Sequence, residues 1–567
     1  MEPRWYKVWP VWAPKELDVE KPPSEYLREW ADYTPDRIAL SFYGKDITYS
    51  ELNNMIDSLA WSLVRLGVAK GDRVAIQMEN CPQFVISYFA ALRAGGVVVA
   101  VNPMLKATEI EYELNDAGAE TLIAADSVYS ETEKVRGRTK LKNVVLTSMA
   151  DFLPAEPVLP FPGETRGERI SFAETMGFMG LLEKSPDKPI CNVNDLKTDL
   201  AVLQYTGGTT GTPKGAMISH HALASALLGT MYWFHDREDD VFLGVTPFFH
   251  VMGQVTLMGA PLVSGGQVVI LSRFEPKVAA QAIERYKVTY WVAATPMIIG
   301  LLSLPDVKRY DFSSFRNITT GGAPIPVELQ RELAVAAPRA VITEGYGLSE
   351  TIVQGGAVTP MYQHRPGYVG VPGPGSDIKI VDRETGTELG PNEEGEIIIK
   401  SPAMMLGYWN NPEESKAVLR NGWLYTGDTG LMDEDGYLKL LGRTRELIKC
   451  SGYSVFPADV EDLLFKHPAV RESAVIGVAD PYRGESVKAF IVLKDEYEGR
   501  ITETELLDWS KENMAAYKRP TFIEFRRELP KSAAGKLLRR ILVEEERQRS
   551  ERKKAENTKG QESGRPM

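Results

Sequence analysis

A segment rich in glycine, threonine and lysine, from Tyr205 to Gly215, carries a clear chemical signal. It reads YTGGTTGTPKG, follows the apolar run AVLQY and precedes a predicted helix over ISHHALASALL. Glycines allow successive backbone N–H groups to turn toward an anion, the threonines add hydroxyl donors, and Lys214 adds positive charge. Such donors would hold a polyphosphate. The spacing is not that of a Walker A loop, because Lys214 follows a proline and precedes a glycine.

Further segments combine glycine with polar or charged residues, and they follow the first one in order along the chain. They are GGAPIP (321–326), EGYGLSE (344–350), YTGD (425–428), LLGRTRELIKCSGYSVFPADVE (440–461) and LPKSAAGKLLRR (529–540). In kind and order the segments resemble the motifs of the adenylate-forming enzymes, which comprise acyl-CoA synthetases, peptide-synthetase adenylation domains and firefly-type luciferases. The opening WYKVWPVWAPKELDVEKPPS is similar to that of fatty acyl-CoA ligases. The resemblance covers the chain except its charged final segment.

The resemblance implies a two-step reaction that uses ATP, Mg²⁺ and coenzyme A. A carboxylate attacks the α-phosphate of ATP to give an acyl-adenylate and pyrophosphate, and a thiol then displaces AMP. The first step brings two anions together, so the site must supply positive charge, a metal ion and in-line positioning. The residues expected to contact ATP or AMP are Thr206, Gly207, Gly208, Thr209, Thr210, Gly211, Lys214, Gly321, Gly322, Ala323, Pro324, Glu344, Gly345, Tyr346, Gly347, Ser349, Asp428, Arg443 and Lys536.

Several of these residues match family positions with distinct roles. Tyr346 matches the aromatic residue that stacks on adenine, and Asp428 matches the carboxylate that accepts both ribose hydroxyls. Arg443 matches a further ribose contact. A simple Gly-Asp turn is the alternative for Asp428, and a linker charge is the alternative for Arg443. Thr209 and Glu350 are expected to hold Mg²⁺, a hard cation that favours oxygen ligands.

The resemblance implies catalytic roles for Lys536, His250 and Thr206. Lys536 matches a lysine that enters the site with the C-terminal domain and bridges the carboxylate and phosphate oxygens. Taken alone, it is one of several cations in KSAAGKLLRR, and a solvated basic patch is the alternative. His250 occupies a position near the acyl carboxylate, with loop packing as its alternative. Thr206 belongs to the phosphate-binding segment.

The resemblance also locates the acyl pocket, the coenzyme A site and the hinge of the mobile domain. The hinge position, normally Asp or Lys, is Arg445 here, which keeps a positive charge but is bulkier than lysine. Some long-chain enzymes have a gating tryptophan at the position of Gln254, so the acyl chain length stays open. The predicted acyl pocket contains His250, Met252, Gly253, Gln254, Val255, Gly322 and Gly347, and the predicted coenzyme A site contains Lys449, Ser451, Gly452 and Tyr453.

Alternating apolar runs and helical patterns predict the elements that position these residues. A helix is expected over 49–67, where leucine and isoleucine recur on one face. Strand–helix alternation indicates an α/β fold of mainly parallel sheets covered by helices on both faces. Strands are expected at 73–78, 97–102, 121–126, 201–206, 267–272 and 290–295.

The pattern changes along the second half of the chain. Gly, Pro and charged residues become frequent in the strands after about residue 368, which predicts a small antiparallel β subdomain. After Gly442-Arg443 the pattern restarts as a compact, mobile α+β unit. The predicted organisation is an N-terminal AMP-binding domain (1–442), a C-terminal mobile domain (443–548) and a charged, disordered tail (549–567).

Composition restricts the class of protein. The 567 residues are 43% hydrophobic and 25% charged, which is typical of globular proteins, and the net charge of -12 argues against general nucleic-acid affinity. An uncharged run over 241–272 is broken by proline, histidine and glycine, so a buried core is expected rather than a transmembrane helix. Three cysteines without a CxxC pair indicate a reducing compartment. We expect a cytoplasmic monomer or homodimer with small-molecule partners and at most transient membrane-surface contact.

These observations predict an ATP-dependent acyl-CoA synthetase that acts on an apolar carboxylic acid, a medium- or long-chain fatty acid. An aryl or alicyclic acid CoA ligase with the same machinery is the alternative. A non-catalytic regulator that binds nucleotide or acyl-AMP is a more distant alternative. The presence of Lys214, Glu350, Asp428, Arg443 and Lys536 argues against it.

Overall fold

The computed structural model describes residues 2–162, 169–183, 190–206, 213–321, 325–443, 446–450, 453–480, 484–532 and 535–562. In the first part of the chain the strands are β1 (Ile38–Phe42), β2 (Lys45–Thr48), β3 (Arg73–Gln77), β4 (Val97–Ala100), β5 (Thr121–Ala125), β6 (Asn143–Thr147), β7 (Met176–Gly177), β8 (Leu200–Thr206), β9 (Lys214–Ser219), β10 (Val241–Gly244), β11 (Gln267–Ile270), β12 (Tyr290–Ala293), β13 (Asn317–Gly321), β14 (Val341–Tyr346), β15 (Ala357–Val358) and β16 (Val371–Pro372). The α-helices there are α1 (Pro23–Tyr33), α2 (Tyr49–Arg65), α3 (Pro82–Arg93), α4 (Ala107–Ala117), α5 (Asp126–Glu133), α6 (Phe178–Leu182), α7 (His220–Phe234), α8 (Ala260–Val263), α9 (Pro276–Tyr286), α10 (Thr295–Leu302) and α11 (Val327–Ala336).

These strands form two large, mainly parallel sheets within the described residues. One has the order β7-β6-β5-β3-β4-β8-β9 and the other the order β16-β15-β14-β13-β12-β10-β11-β1-β2. Central strands such as β4 are buried along their whole length, because helices cover both faces of the sheet. The predicted α/β class is confirmed.

Helix α2 shows how local sequence sets an element boundary. The Thr48 hydroxyl accepts a hydrogen bond from the backbone N–H of Glu51 (3.2 Å), and the Glu51 carboxylate accepts one from the N–H of Thr48 (2.8 Å). This reciprocal capping box starts the helix at Tyr49, as the sequence predicts.

The helix predicted over ISHHALASALL is confirmed as α7, which begins at His220. Strand β9, which the sequence did not predict, precedes this helix and pairs antiparallel with β8. The pairing brings Thr206 opposite Lys214. It depends on the long-range register of two strands, which the local helical pattern of ISHHALASALL does not reveal.

An antiparallel sheet and a smaller α+β domain complete the chain. The sheet contains β17 (Asp377–Val381), β18 (Gly395–Lys400), β19 (Leu419–Arg420), β20 (Trp423–Met432) and β21 (Leu438–Arg443), with α12 (Pro412–Val418) beside it. The C-terminal domain contains β22 (Ile448–Cys450), β23 (Tyr453–Val455), β24 (Val470–Asp480), β25 (Gly484–Leu493) and β26 (Phe522–Phe525), with α13 (Pro457–Phe465), α14 (Glu503–Asn513) and α15 (Arg539–Glu562).

Helix α15 enters the segment 549–567, for which the sequence predicts a charged, disordered tail. The helix continues to Glu562, because its glutamate, arginine and lysine residues are good helix formers. Glu546 also forms an ion pair with Lys488 of β25 (2.7 Å), which holds the helix against the sheet. The last predicted tail residues, 563–567, lie outside the described residues.

A π-helical segment, Gly253–Gly259, lies between the loop after β10 and α8. A Cβ atom on Gly253 would lie 2.1 Å from the carbonyl oxygen of Pro247, closer than any real contact. Glycine therefore allows this helix to pack directly against the loop that contains His250. Such π segments are frequent at functional sites.

The close approach at Gly253 gives a stability prediction. Gly253→Ala should lower the free energy of unfolding by about 1–3 kcal/mol, because the Pro247 backbone has to move. Gly180→Ala is the matched control, since Gly180 lies in α6 with open space around its Cβ position. Urea titrations should show the control unchanged or slightly more stable, and equal effects of the two substitutions would contradict the packing argument.

Candidate active site

A cavity of about 1370 Å³ opens where the carboxyl ends of β8, β12, β13 and β14 meet the antiparallel sheet and the C-terminal domain. Ligands of open α/β sheets bind at this edge of the strands. The predicted ATP and AMP contacts that line the cavity are Thr206, Lys214, Gly321, Glu344, Gly345, Tyr346, Gly347, Ser349, Asp428 and Lys536, and Glu350 lies with them.

The remaining predicted nucleotide contacts are less fully described. Gly207, Gly208, Thr209, Thr210, Gly211, Gly322, Ala323 and Pro324 lie outside the described residues. Arg443 ends β21, where its backbone is opposite Asp428 in the antiparallel register. The strand pairing thus brings two residues together that are separate in the sequence motifs.

Tyr346 and Asp428 form a fixed polar pair in the cavity wall. The phenol of Tyr346 donates a hydrogen bond to Asp428 Oδ2 (2.7 Å), and both residues are buried. The Asp428 backbone N–H donates to the Thr426 hydroxyl (3.1 Å), which donates to the carbonyl of Ile397 (2.7 Å). The pair can present an aromatic surface to a base and carboxylate oxygens to hydroxyl groups.

The turn after Tyr346 requires glycine for steric reasons. A Cβ atom on Gly347 would lie 2.0 Å from the carbonyl oxygen of Val353, and one on Gly356 would lie 1.8 Å from that of Tyr346. The preceding Glu344 is buried, and its carboxylate accepts a hydrogen bond from Gln330 of α11 (2.8 Å). These contacts hold the end of β14 rigidly at the cavity.

Lys214 and Glu350 each have a charged or polar partner. The Lys214 ammonium forms an ion pair with Glu414 of α12 and lies 5.3 Å from the centre of the Tyr408 ring. The Tyr408 phenol donates to Glu350 Oε1 (2.8 Å). Sequence reasoning missed Glu414 and Tyr408, since only the strand pairing of residues distant in sequence reveals that they approach the phosphate-binding segment.

His250 is neutral at physiological pH. Loss of hydration, together with the positive charge of Lys536, lowers the pKa of its imidazole to about 4. Nδ1 accepts a hydrogen bond from the backbone N–H of Met252 (3.3 Å), so the ring proton resides on Nε2. The influence of Lys536 on His250 also shows that the C-terminal domain brings its lysine close to this ring.

Asn80 anchors the loop that carries His250. Its amide donates to the carbonyls of Gly244 (3.2 Å) and Thr246 (3.0 Å), and its carbonyl accepts from the N–H of Phe248 (2.7 Å). Asn80 is almost fully buried. The loop is therefore fixed by a residue that sequence motifs do not identify.

The predicted acyl-pocket residues lie at and behind the cavity wall, and their assignment stays a prediction. His250, Met252 and Gly347 line the cavity, whereas Gly253, Gln254 and Val255 are not among its lining residues. Gln254 is buried beside the wall, where its amide donates to Gln204 Oε1 (2.9 Å). Residues one helical turn apart share a face, so Thr256 lines the cavity together with Met252. Gly322, the remaining predicted pocket residue, lies outside the described residues.

The cavity lining also includes apolar residues of the N-terminal domain, which we call its apolar arm. They belong to α7, β12, α10, β15 and the segment between β14 and β15. These residues are Phe234, Val292, Ile299, Leu348, Val353 and Val358. Side chains of this kind can contact an apolar group.

The C-terminal domain contributes Lys536 from a turn that contacts the N-terminal domain. Gly535 adopts a left-handed conformation (φ 76°), and its Cβ position lies 3.3 Å from Ala294 Cβ. The Lys536 backbone N–H donates to the Ser532 hydroxyl (3.1 Å), which closes the turn. Lys536 consequently lies in the wall that contains His250.

The structure describes only part of the predicted coenzyme A and hinge residues. Lys449 is exposed on β22 and is absent from the lining. Tyr453 begins β23, while Ser451, Gly452 and Arg445 lie outside the described residues. Their assignments stay predictions.

Two features are absent from the described ranges. No helix in them is both long and apolar enough to cross a membrane. They also contain no group of three or more His, Cys, Asp or Glu side chains placed to hold a metal ion.

The lowered pKa of His250 gives a pH prediction. Between pH 6.5 and pH 4 the unfolded ring binds a proton that the folded ring does not, so folding stability falls as pH falls through this window. Going from pH 7 to pH 5, the wild type should lose about 2 kcal/mol more than His250→Gln. Urea titrations at both pH values measure this change in unfolding free energy. His220, whose pKa is also about 4, is present in both proteins, so its contribution cancels in the comparison. If the wild type and His250→Gln lost the same stability between pH 7 and pH 5, the neutral state of the His250 ring in the folded protein would be contradicted.

Comparison with known proteins adds independent findings. A family model described as AMP-binding enzyme matches residues 27–409, and one described as AMP-binding enzyme C-terminal domain matches residues 459–536. The chain is 39% identical to a long-chain-fatty-acid–CoA ligase of Bacillus subtilis over 552 residues, covering 96% of this chain and 98% of the relative.

Solved structures with a similar fold include an anthranilate CoA ligase in complex with anthranoyl-AMP, with a TM-score of 0.83 and 28% identity over 93% of this chain and 98% of that chain. ATP-bound MatB from Rhodopseudomonas palustris gives a TM-score of 0.80, whereas apo MatB gives 0.71; each is 28% identical and covers 92% of this chain and 98% of its own. The expected adenylate-forming acid–thiol ligase machinery is confirmed by these matches, and the chain belongs to the AMP-binding enzyme family.

Proposed function

We propose that this enzyme is an ATP-dependent acyl-CoA synthetase whose acid is a medium- or long-chain fatty acid. The observation that carries the proposal is that Lys214, the Tyr346–Asp428 pair, His250 and Lys536 line the same cavity as the residues of the apolar arm. The long-chain-fatty-acid–CoA ligase relative supports the same substrate class.

In the adenylation step, the acyl chain occupies the apolar arm and its carboxylate lies beside His250. Neutral His250 can donate one hydrogen bond from Nε2 without neutralising the attacking carboxylate. Tyr346 and Asp428 orient the adenosine, so the α-phosphate faces the carboxylate in line with the pyrophosphate leaving group. The Lys536 ammonium then stabilises the charge that develops between them.

The phosphate end of the cavity fits a magnesium ion. Glu350 offers a hard carboxylate oxygen beside the phosphate-binding segment, and Mg²⁺ commonly takes one or two carboxylates plus substrate phosphates. When bound, the ion would neutralise charge on the transferring phosphates. Thr209 would be its second protein contact.

Thioester formation requires coenzyme A to approach the acyl-adenylate. We propose that the C-terminal domain, beginning at residue 443, rotates around Arg445 and presents Lys449, Ser451, Gly452 and Tyr453 to coenzyme A. The higher TM-score with ATP-bound than with apo MatB supports an adenylation arrangement for the present domain positions. Rotation would withdraw Lys536 from the site and bring β22 and β23 toward it.

The cellular setting follows from the substrates. ATP and coenzyme A are available in the cytoplasm, where we propose that the enzyme acts as a monomer or homodimer. Membrane-surface contact, if it accompanies uptake of the fatty acid, would be transient.

Lys536 gives a test of the mechanism. Lys536→Ala should lower acyl-dependent pyrophosphate exchange at least about 100-fold, because it removes transition-state charge stabilisation. Conversion of supplied acyl-adenylate and coenzyme A should change much less. Lys511→Ala, at an exposed site on α14, is the matched control. Equal loss of both half-reactions would refute the role of Lys536.

The substrate class is tested by pyrophosphate release with Mg²⁺-ATP across acids from acetate to long-chain fatty acids, with benzoate and cyclohexanecarboxylate included. We expect coenzyme-A-dependent turnover concentrated in a medium- or long-chain window, because the cavity arm is apolar. Preference for benzoate or cyclohexanecarboxylate would favour the aryl or alicyclic acid ligase. If no acid of the panel gave pyrophosphate release, despite measurable nucleotide binding, the result would favour the non-catalytic regulator.

A further inference from the structure

Strand pairing places α12 beside the lysine of the phosphate-binding segment. The Leu406 N–H donates to the carbonyl of Met217 (2.8 Å), and the Trp409 N–H donates to that of Gly215 (2.8 Å). The segment 406–409 thus runs along β9, which begins at Lys214. The helix that follows this segment must therefore lie close to the Lys214 side chain.

The position of Glu414 on this helix is fixed by local contacts. Its backbone N–H donates to the Asn411 side chain (3.2 Å), which caps α12. One residue further along, the Ser415 hydroxyl accepts from the N–H of Tyr408 (2.8 Å). These bonds tie the first turn of the helix to the strand-like segment before it, and Glu414 faces the cavity.

The ion pair between Lys214 and Glu414 occupies the place where phosphate charge is expected. The Lys214 side chain retains 18% of its exposure, so its ammonium is substantially withdrawn from water and benefits from a nearby anion. Glu414 supplies that anion in the nucleotide-free protein. When a polyphosphate binds the Lys214 ammonium, the Glu414 carboxylate loses this partner and lies beside additional negative charge.

We propose that Glu414 is a positioning residue that holds Lys214 in place before nucleotide binds and then competes with the phosphates for it. The inference rests on the proposed function, since it assigns Lys214 to the phosphates of ATP. Competition of this kind weakens ATP binding and also favours release of pyrophosphate after the α–β phosphate bond breaks. Glu414 thereby lowers the affinity for ATP and favours the release of pyrophosphate.

Adjacent acidic residues on one helix permit a charge-matched test. Glu413 is 84% exposed and forms an ion pair with Lys416 (3.2 Å), away from Lys214. Glu414→Gln and Glu413→Gln each remove one negative charge from α12, so long-range electrostatic effects are the same. Glu414→Asp keeps the charge, so its affinity for pyrophosphate should lie closer to that of the wild type.

Calorimetric titration of inorganic pyrophosphate, and separately of ATP, into the nucleotide-free enzyme measures the competition directly. Because an ion pair no longer opposes binding, the Kd for pyrophosphate should fall about fivefold in Glu414→Gln and stay unchanged in Glu413→Gln. In turnover assays the KM for ATP should fall in Glu414→Gln while kcat does not rise.

The outcomes separate this inference from the proposed function. If Glu414→Gln and Glu413→Gln bind pyrophosphate equally well, or if Glu414→Gln binds it more weakly than the wild type, the competition is refuted and the synthetase assignment stands. If the wild type binds neither ATP nor pyrophosphate, both are refuted. Melting temperatures of all variants should match the wild type, because Glu414 is partly exposed at the protein surface.

Discussion

Two negatively charged reactants, a carboxylate and a polyphosphate, have to meet in one cavity, and their mutual repulsion sets the requirements for the surrounding protein. Positive charge has to reach the two reactants from opposite sides, because an excess of it around either reactant would bind that reactant too tightly. Lys214 stands at the start of β9 and Lys536 on a turn of the other domain. His250 lines the same cavity and is kept neutral by loss of hydration and by the Lys536 ammonium. The fold therefore distributes charge around the reaction path.

The interface between the two domains also contributes to this distribution of charge. Lys536 reaches the cavity from a turn in which Gly535 is left-handed, and a Cβ atom on Gly535 would lie 3.3 Å from Ala294 Cβ. Under the proposed domain rotation, a cation on a separate domain would leave the site when the first step is complete. A lysine fixed to the N-terminal domain would stay in the path of the second nucleophile.

The sequence predicted the strands and helices well where burial alone determines them. The β-branched run of β4 and the capping box of α2 are local signals, and both elements formed as expected. The sequence did not reveal features that distant residues decide. β9 forms because it pairs with β8, and Glu414 meets Lys214 across a sequence separation of 200 residues. Asn80 was missed for the same reason, since its three bonds reach a loop that no local pattern connects to it.

The hairpin of β8 and β9 has an electrostatic consequence for nucleotide binding. In many phosphate-binding proteins the loop runs straight into a helix, whose dipole presents about half a positive charge to the phosphate. Here five residues of extended chain separate Lys214 from His220 at the start of α7, so the amino end of that helix lies roughly 20 Å along the strand from the lysine. The screened field of a helix terminus contributes little at that distance. Electrostatic attraction for the phosphates consequently depends on side-chain cations such as Lys214 and on divalent cations, which makes nucleotide affinity sensitive to ionic strength and to divalent cation supply.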